Sequence, residues 1–339
     1  MEKKKSEPKK MTLEEYQQKY AKKHNTVFIK SAFFLVSAAI GIVVIAALFL
    51  IVVRLFDIHQ IAGYIGIGVA VIVFGAFYVY PLIRISTQRR FITDVDSQNI
   101  KEAKRHNKKM REEIADAMID FSAKTENVGW YKEENIGKLA VARQTNDNAA
   151  LRSALTNIYN EDISKKANAI IRDHSVKIGL VTALSQSERI DTLFVALYEL
   201  NLIKQLVFLY GYRPSEAKLM RIYSTVLTNS LIAYGLTSVS SNLATSVVKT
   251  IGGAVERIPL LGNIVSTVID SASQGFINGG LTVVLGFQTK KYLNDEFKKQ
   301  EIIEEIEVIE EEEKAMLTEV KTDIVSAYNE AKKEQKAAS

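Results

Sequence analysis

The sequence has no cysteine, and among its 339 residues only four prolines, four histidines and one tryptophan. Without cysteine there are no disulfides, no thiolate zinc sites, no iron–sulfur clusters and no thiol catalysis. The histidines (His24, His59, His106, His174) are scattered, which leaves little for a His-based metal centre. The pattern G-x-x-x-x-G-K-[ST] is also missing, so the chain has no phosphate-cradling loop of its own. Alternating strand patterns are hard to find over any useful length, and the long proline-poor stretches predict an all-α protein.

Charge is what two long stretches lack. Residues 31–53 and 61–83 are each 23 residues without a charged side chain. About 20 helical residues suffice to cross roughly 30 Å of hydrocarbon, so the pair predicts a transmembrane helical hairpin. The mean hydropathy of +0.01 averages this hairpin with two charged ends of opposite sign. Residues 1–30 hold nine lysines and residues 84–111 hold nine basic side chains, whereas the connecting loop 54–60 has Arg54 balanced by Asp57. The positive-inside rule then puts both termini in the cytoplasm, with a loop of seven residues outside. Neither span holds an ionisable residue, so the hairpin reads as an anchor. Gly68 and Gly75 share a helix face at i, i+7 and are expected to pack helices within the hairpin or between protomers.

The expected organisation is a basic arm (1–30), the hairpin (31–83), a basic juxtamembrane helix and connector (84–138), a helical domain (139–297) and a charged C-terminal helix (298–339). Within the juxtamembrane helix, Met110, Ile114, Ala117, Met118 and Phe121 fall on one face, and the other side is dense in Lys and Arg. Helices are expected at 139–159 and 163–174, with a polar turn at 160–162 between them. Another is expected at 187–211, with an apolar stripe, Gly211 as C-cap and Pro214 announcing the next helix. Residues 222–248 carry no charge, yet 12 of the 27 are Ser, Thr or Asn. Residues 258–287 are similar, with Asp270 and the small-residue positions Gly275, Gly279 and Gly286. Both segments are read as tightly packed helices, with entry into the bilayer as the alternative. Residues 300–313 contain eight glutamates and no basic residue, and they predict an acidic amphipathic helix.

From about Thr145 to Phe297 the chain resembles the YcjF-like family of bacterial inner-membrane proteins, which share a helical domain of unknown function. The resemblance is densest in TNDNAALRSALTNIY and in the long run from KIGLVTALSQSERID to LIAYG. Its pattern falls on Asp191, Phe194, Leu200, Leu202, Ile203, Leu209, Tyr210 and Gly211, and its closing hairpin on Pro259 and Gly262. It implies a two-helix anchor ahead of the domain, an inner-membrane location, no assigned activity, and association with GTPase-like proteins.

No catalytic constellation is found. Asp173 and His174 are sequence neighbours and do not face each other on a helix, so His174 is read as a surface or domain-contact side chain. The basic residues cluster at the membrane spans and are not interleaved with aromatics, which argues against nucleic acid as a partner. Three readings follow. The first is a membrane-anchored interaction scaffold recruiting a GTPase-like partner, with no catalytic, cofactor or metal residues of its own. In it the partner surface lies at 187–222 and along the acidic helix, and the protein can be a homo-oligomer. The second is an oligomeric pore or membrane-remodelling protein in which 222–248 and 258–287 enter the bilayer. The third is an enzyme whose pocket gathers Asp191, Asp270 and Tyr210.

Overall fold

The structure is a computed structural model, and it describes residues 11–20, 26–127, 129–185, 187–234 and 271–306. Among these, every regular element is helical. The described chain begins with α1 (Leu13–Tyr20) and then forms the hairpin from α2 (Thr26–Ile58), α3 (Gln60–Val73), a π-helical turn (Phe74–Val79) and α4 (Tyr80–Thr87). After an extended connector come α5 (Ile100–Ser122), α6 (Glu133–Gln144), α7 (Asn148–Ile158), a second π turn (Tyr159–Ile163) and α8 (Ser164–Leu184). The described chain closes with α9 (Glu188–Tyr210), α10 (Glu216–Ala233) and α11 (Ser271–Glu305).

The hairpin turns more sharply than the sequence predicts. No glycine or proline interrupts 54–58, so α2 runs on to Ile58 and the link to α3 is His59 alone. His59 has extended backbone (φ −165°), and its Nδ1 accepts the Ile61 amide at 3.1 Å as the N-cap of α3. At the corner the helices meet at Gly63, seated on the Phe56 ring, and at Gly66, seated on Leu55. Nearer the basic end, Tyr78 crosses over Gly41 and donates to the Ser37 carbonyl at 2.6 Å. Pro81 has no amide hydrogen and its ring crowds the carbonyl four residues back, and the π turn that precedes it absorbs this defect without ending the helix.

Two further expectations change. The helix expected over 139–159 breaks at 145–147, because Asn146 takes a left-handed backbone (φ 53°) and Asp147 caps α7 by accepting the Ala149 and Ala150 amides. The polar turn expected at 160–162 is instead helical, widened to π. Asp162 is buried there and accepts from the Lys132 amide and from Asn135 Nδ2 (2.9 Å), which fastens the start of α6.

The predicted face of α5 buries Met110, Ile114 and Met118, whereas Ala117 is exposed. Its basic side turns Arg111 fully inward. Arg111 is fully buried and pairs with Glu304 at 3.0 Å, bonding also to Gln300 and to Asn148 Oδ1. Arg152 adds a contact to Glu305, and Thr156 donates to Glu301 at 2.6 Å. Of the glutamates in this run, Glu304 is thus paired with a buried guanidinium, Glu301 takes a hydroxyl, and Glu305 meets Arg152 at the surface. The expected boundary at 297/298 falls inside α11, which continues through it. The N-terminal arm is also tied in. Tyr16 is buried among Val95, Ile100, Ala103, Ile303 and Ile306, and donates to the Thr93 carbonyl at 2.8 Å. Thr93 in turn donates to Glu296 (2.7 Å), which also pairs with Lys218 (3.0 Å).

The central feature is that the hairpin and the domain share one core. Ile40, Val44, Ala47 and Leu48 of α2 and Ile85 of α4 are buried in one cluster with Leu193, Leu197, Leu200 and Ile203 of α9 and Ile222 and Tyr223 of α10. The Phe33 and Tyr223 rings sit 5.2 Å apart, centre to centre. Helix α9 is the axis of this arrangement. It is buried along most of its length and packs on α2, α4, α8, α10 and α11, leaving only residues near its two ends, such as Ile190 and Phe208, exposed. The stripe read as surplus for partner contact at 187–222 is thus consumed by the hairpin.

Candidate functional site

Where α9 ends, Gly211 takes the left-handed backbone (φ 79°) and closes the helix as its C-cap, as its sequence position predicts. The following turn is clamped to the segment leaving the hairpin. Gln88 Nε2 donates to the Gly211 carbonyl (2.9 Å), and Arg213 donates through its amide to the Arg89 carbonyl (2.8 Å) and through Nε to the Gln88 carbonyl (3.0 Å). Glu216 completes the clamp with Arg213 at 3.0 Å and Arg90 at 3.1 Å. Burial alone would raise the Glu216 pKa, but the two guanidiniums outweigh it and hold the carboxyl below the usual range. Tyr210 is buried in an aromatic stack with Tyr159, Tyr212 and Phe297, and Tyr159 donates to its carbonyl at 2.8 Å.

Against this junction lies a cleft of about 490 Å³ between the hairpin's basic end, α5 and the aromatic connector. Met118, Phe121, Trp130 and Phe208 supply its apolar wall, and the Arg89–Glu113 ion pair stands at its rim. Arg84 lies over the Phe208 ring at 4.5 Å, Lys204 over Tyr80 at 5.2 Å, and Lys166 over Trp130 at 5.2 Å. Aromatic rings with basic side chains over them, at the end of a membrane hairpin, are the composition of a headgroup-level surface.

A second polar group lies inside the shared core. Glu199 is fully buried on α9 and accepts from Asn229 Nδ2 of α10 (2.7 Å) and Thr282 Oγ1 of α11 (3.1 Å). This trio crosslinks three helices. In the sequence its one signal is an acid in the middle of the apolar run of α9.

The sequence-predicted positions divide clearly. Leu200 and Ile203 lie in the core against the hairpin, Phe194 stacks on Tyr198 at 5.2 Å, and Asp191 is buried in the first turn of α9. Asp191 and Tyr210 sit at opposite ends of that helix, about 28 Å apart along its axis, so they line no common pocket. Asp270, Pro259 and Gly262 lie outside the described residues, as does most of 222–248 and 258–270. His174 is buried, its ring 6.0 Å from that of Tyr198, because α8 turns this face onto α9. The small-residue positions of α11 pack on α8. A Cβ on Gly275 would lie 2.4 Å from the Gly179 carbonyl, one on Gly279 3.0 Å from the Ser175 carbonyl, and one on Gly286 2.7 Å from Ile171. Gly68 and Gly75, by contrast, face open space, and the close approaches within the hairpin belong to Gly41, Gly63 and Gly66.

These features define an α-helical membrane protein in which three described helices, Phe28–Ile58, Gln60–Thr87 and Glu188–Tyr210, are long and apolar enough to cross a bilayer. The chain belongs to the DUF697 family, a domain of unknown function, whose model matches residues 146–329. It is similar to UPF0283 membrane proteins of Bradyrhizobium diazoefficiens (29% identity, covering 37% of this chain and 32% of the relative) and Rhodopseudomonas palustris (30% identity, covering 36% and 29%). A third, from Rhizobium leguminosarum, shares 30% identity over 37% of this chain and 31% of its own. The chain thus matches about a third of the length of these relatives. UPF0283 is the YcjF family, so the resemblance read from the sequence holds. No solved structure matches the chain.

Proposed function

We propose that the protein is a membrane-anchored interaction scaffold. It sits in the inner membrane with both termini in the cytoplasm and holds a GTPase-like cytoplasmic protein at the cleft beside Gly211. The observation carrying this reading is the cleft itself: an apolar wall of Phe121, Trp130 and Phe208 with a charged rim, fixed to the anchor by the 88–90 and 211–216 clamp. A partner seated there is held at a set distance and angle from the bilayer. The orientation is supported by the Lys and Arg balance around the hairpin. Pairing of two copies through the open Gly68 and Gly75 face belongs to the same reading.

The test is co-purification from detergent-solubilised membranes, comparing the natural chain with Phe121→Ala and Trp130→Ala. Loss of a captured cytoplasmic protein from both variants, with the fold retained, supports the cleft as the docking site. An unchanged partner set rejects it.

A further inference from the structure

The shared core sets the depth of the helical domain. Phe33 lies two residues inside the first charge-free run and is in ring contact with Tyr223 of α10. Helix α10 packs along α2 from there, and the ten residues to Ala233 advance about 15 Å. Ala233 packs with Val195 of α9 and Ile178 of α8. Ile178 is therefore about halfway through a hydrocarbon layer of roughly 30 Å. Helix α9 gives the same result from the other arm of the hairpin. Phe208 lies under Arg84 at the basic end, and Glu188 is 20 residues away, about 30 Å, at the level of the opposite headgroups.

From this depth to the end of α8 the outer surface is apolar. Val176 (51% exposed), Leu180 (59%) and Leu184 (81%) form a stripe at i, i+4, i+8 on α8, and Val283 and Phe287 continue it on α11. Residues 178–187 and 271–289 carry no charge. The last charge on α8, Lys177, runs back one turn toward the basic end and pairs with Asp173 at 2.8 Å. Lys290 lies where α11 returns to the basic end, bonded to Ser164 and Asn168.

We propose that the helical domain is half inserted in the bilayer beside the hairpin, with the Val176, Leu180 and Leu184 stripe of α8 in contact with lipid acyl chains. The stripe lies at the same depth as the outer face of the hairpin, whose own exposed residues, such as Ile42, Ile45 and Phe49, are of the same kind. This goes beyond the scaffold reading, and it leaves α5–α7 and the end of α11 as the water-facing half.

Because the chain has no cysteine, each introduced thiol is unique. Full-length Leu180→Cys and Leu184→Cys variants, spin-labelled and reconstituted in phosphatidylethanolamine–phosphatidylglycerol liposomes, report collision with oxygen, which concentrates in lipid, and with a water-soluble nickel chelate. The references are Ile45→Cys on α2 and Val141→Cys on α6, both exposed positions. The expected result is an oxygen-to-nickel ratio at 180 and 184 that matches Ile45→Cys and exceeds Val141→Cys several-fold. A ratio matching Val141→Cys overturns the proposal, and so does protection from both reagents, which would mean that another protein covers the stripe. Neither outcome depends on whether a partner occupies the cleft, so the two proposals fail separately.

Discussion

Replacing glycines along α11 with alanine should change stability in a fixed order. At a helix interior position alanine is favoured over glycine by about 0.8–1.0 kcal/mol, and at Gly280 nothing within 4 Å opposes the new methyl group. Gly280→Ala should therefore stabilise by nearly that amount. At Gly279 the Cβ would stand 3.0 Å from the Ser175 carbonyl, a contact that a shift of a few tenths of an ångström relieves, so the two effects should nearly cancel. At Gly275 it would stand 2.4 Å from the Gly179 carbonyl and 2.5 Å from Ala183 Cβ, against about 3.5–4.0 Å for an unstrained carbon contact. Both obstacles belong to a helix rather than to a flexible side-chain tip, so α8 and α11 must separate by about 1 Å. Overpacking of this kind costs about 1–3 kcal/mol, leaving a net loss of up to about 2 kcal/mol. Thermal unfolding of the detergent-solubilised chain, followed by circular dichroism, reads the series. At about 2–4 °C per kcal/mol for a domain of this size, Gly280→Ala and Gly275→Ala should differ by several degrees in opposite directions from the natural chain. Equal shifts for Gly275→Ala and Gly280→Ala would refute the α8–α11 crossing.

Other perturbations are equally specific. Gly211→Ala places a Cβ on a left-handed residue with φ 79° and should cost about 1–2 kcal/mol, read as a lower unfolding temperature, whereas Gly137→Ala, in open space on α6, should not lower it. The Glu216 clamp has a pH signature. Its carboxyl is held below the ordinary 4.5, so its contribution is complete above that pH and is lost as the pH falls through the lower folded value. In Glu216→Gln the acid-side fall in unfolding temperature should be shallower than in the natural chain; identical acid limbs would dismiss the clamp.

How much of this was legible in the sequence follows from the reach of each signal. The hairpin, the Gly211 cap and the helix start after Pro214 are local patterns and can be read directly. The break at Asn146 and Asp147 was also written locally, as a left-handed stop followed by a capping aspartate, but apolar periodicity across it masked the signal. The apolar stripe of α9 was visible, yet its occupant was not, because nothing in residues 187–210 says that α2 lies alongside. Arg111 and Glu304 show the same limit. Each looks like part of a solvated charge run, and only the fold brings a buried guanidinium from one run to a glutamate of the other. Small-residue spacing marks Gly275, Gly279 and Gly286, and each faces α8 at close range. At Gly68 and Gly75 the same spacing meets open space, since a glycine pattern cannot name the helix that faces it.

The hairpin and the helical domain form one packed body, and a crosslink between positions 33 and 223 tests this most directly. Phe33→Cys/Tyr223→Cys in the otherwise cysteine-free chain, treated in native membranes with a short bifunctional thiol reagent, should crosslink as efficiently as the intra-hairpin pair Ser37→Cys/Tyr78→Cys. Efficient crosslinking of the hairpin pair, with none between positions 33 and 223, would contradict the shared core.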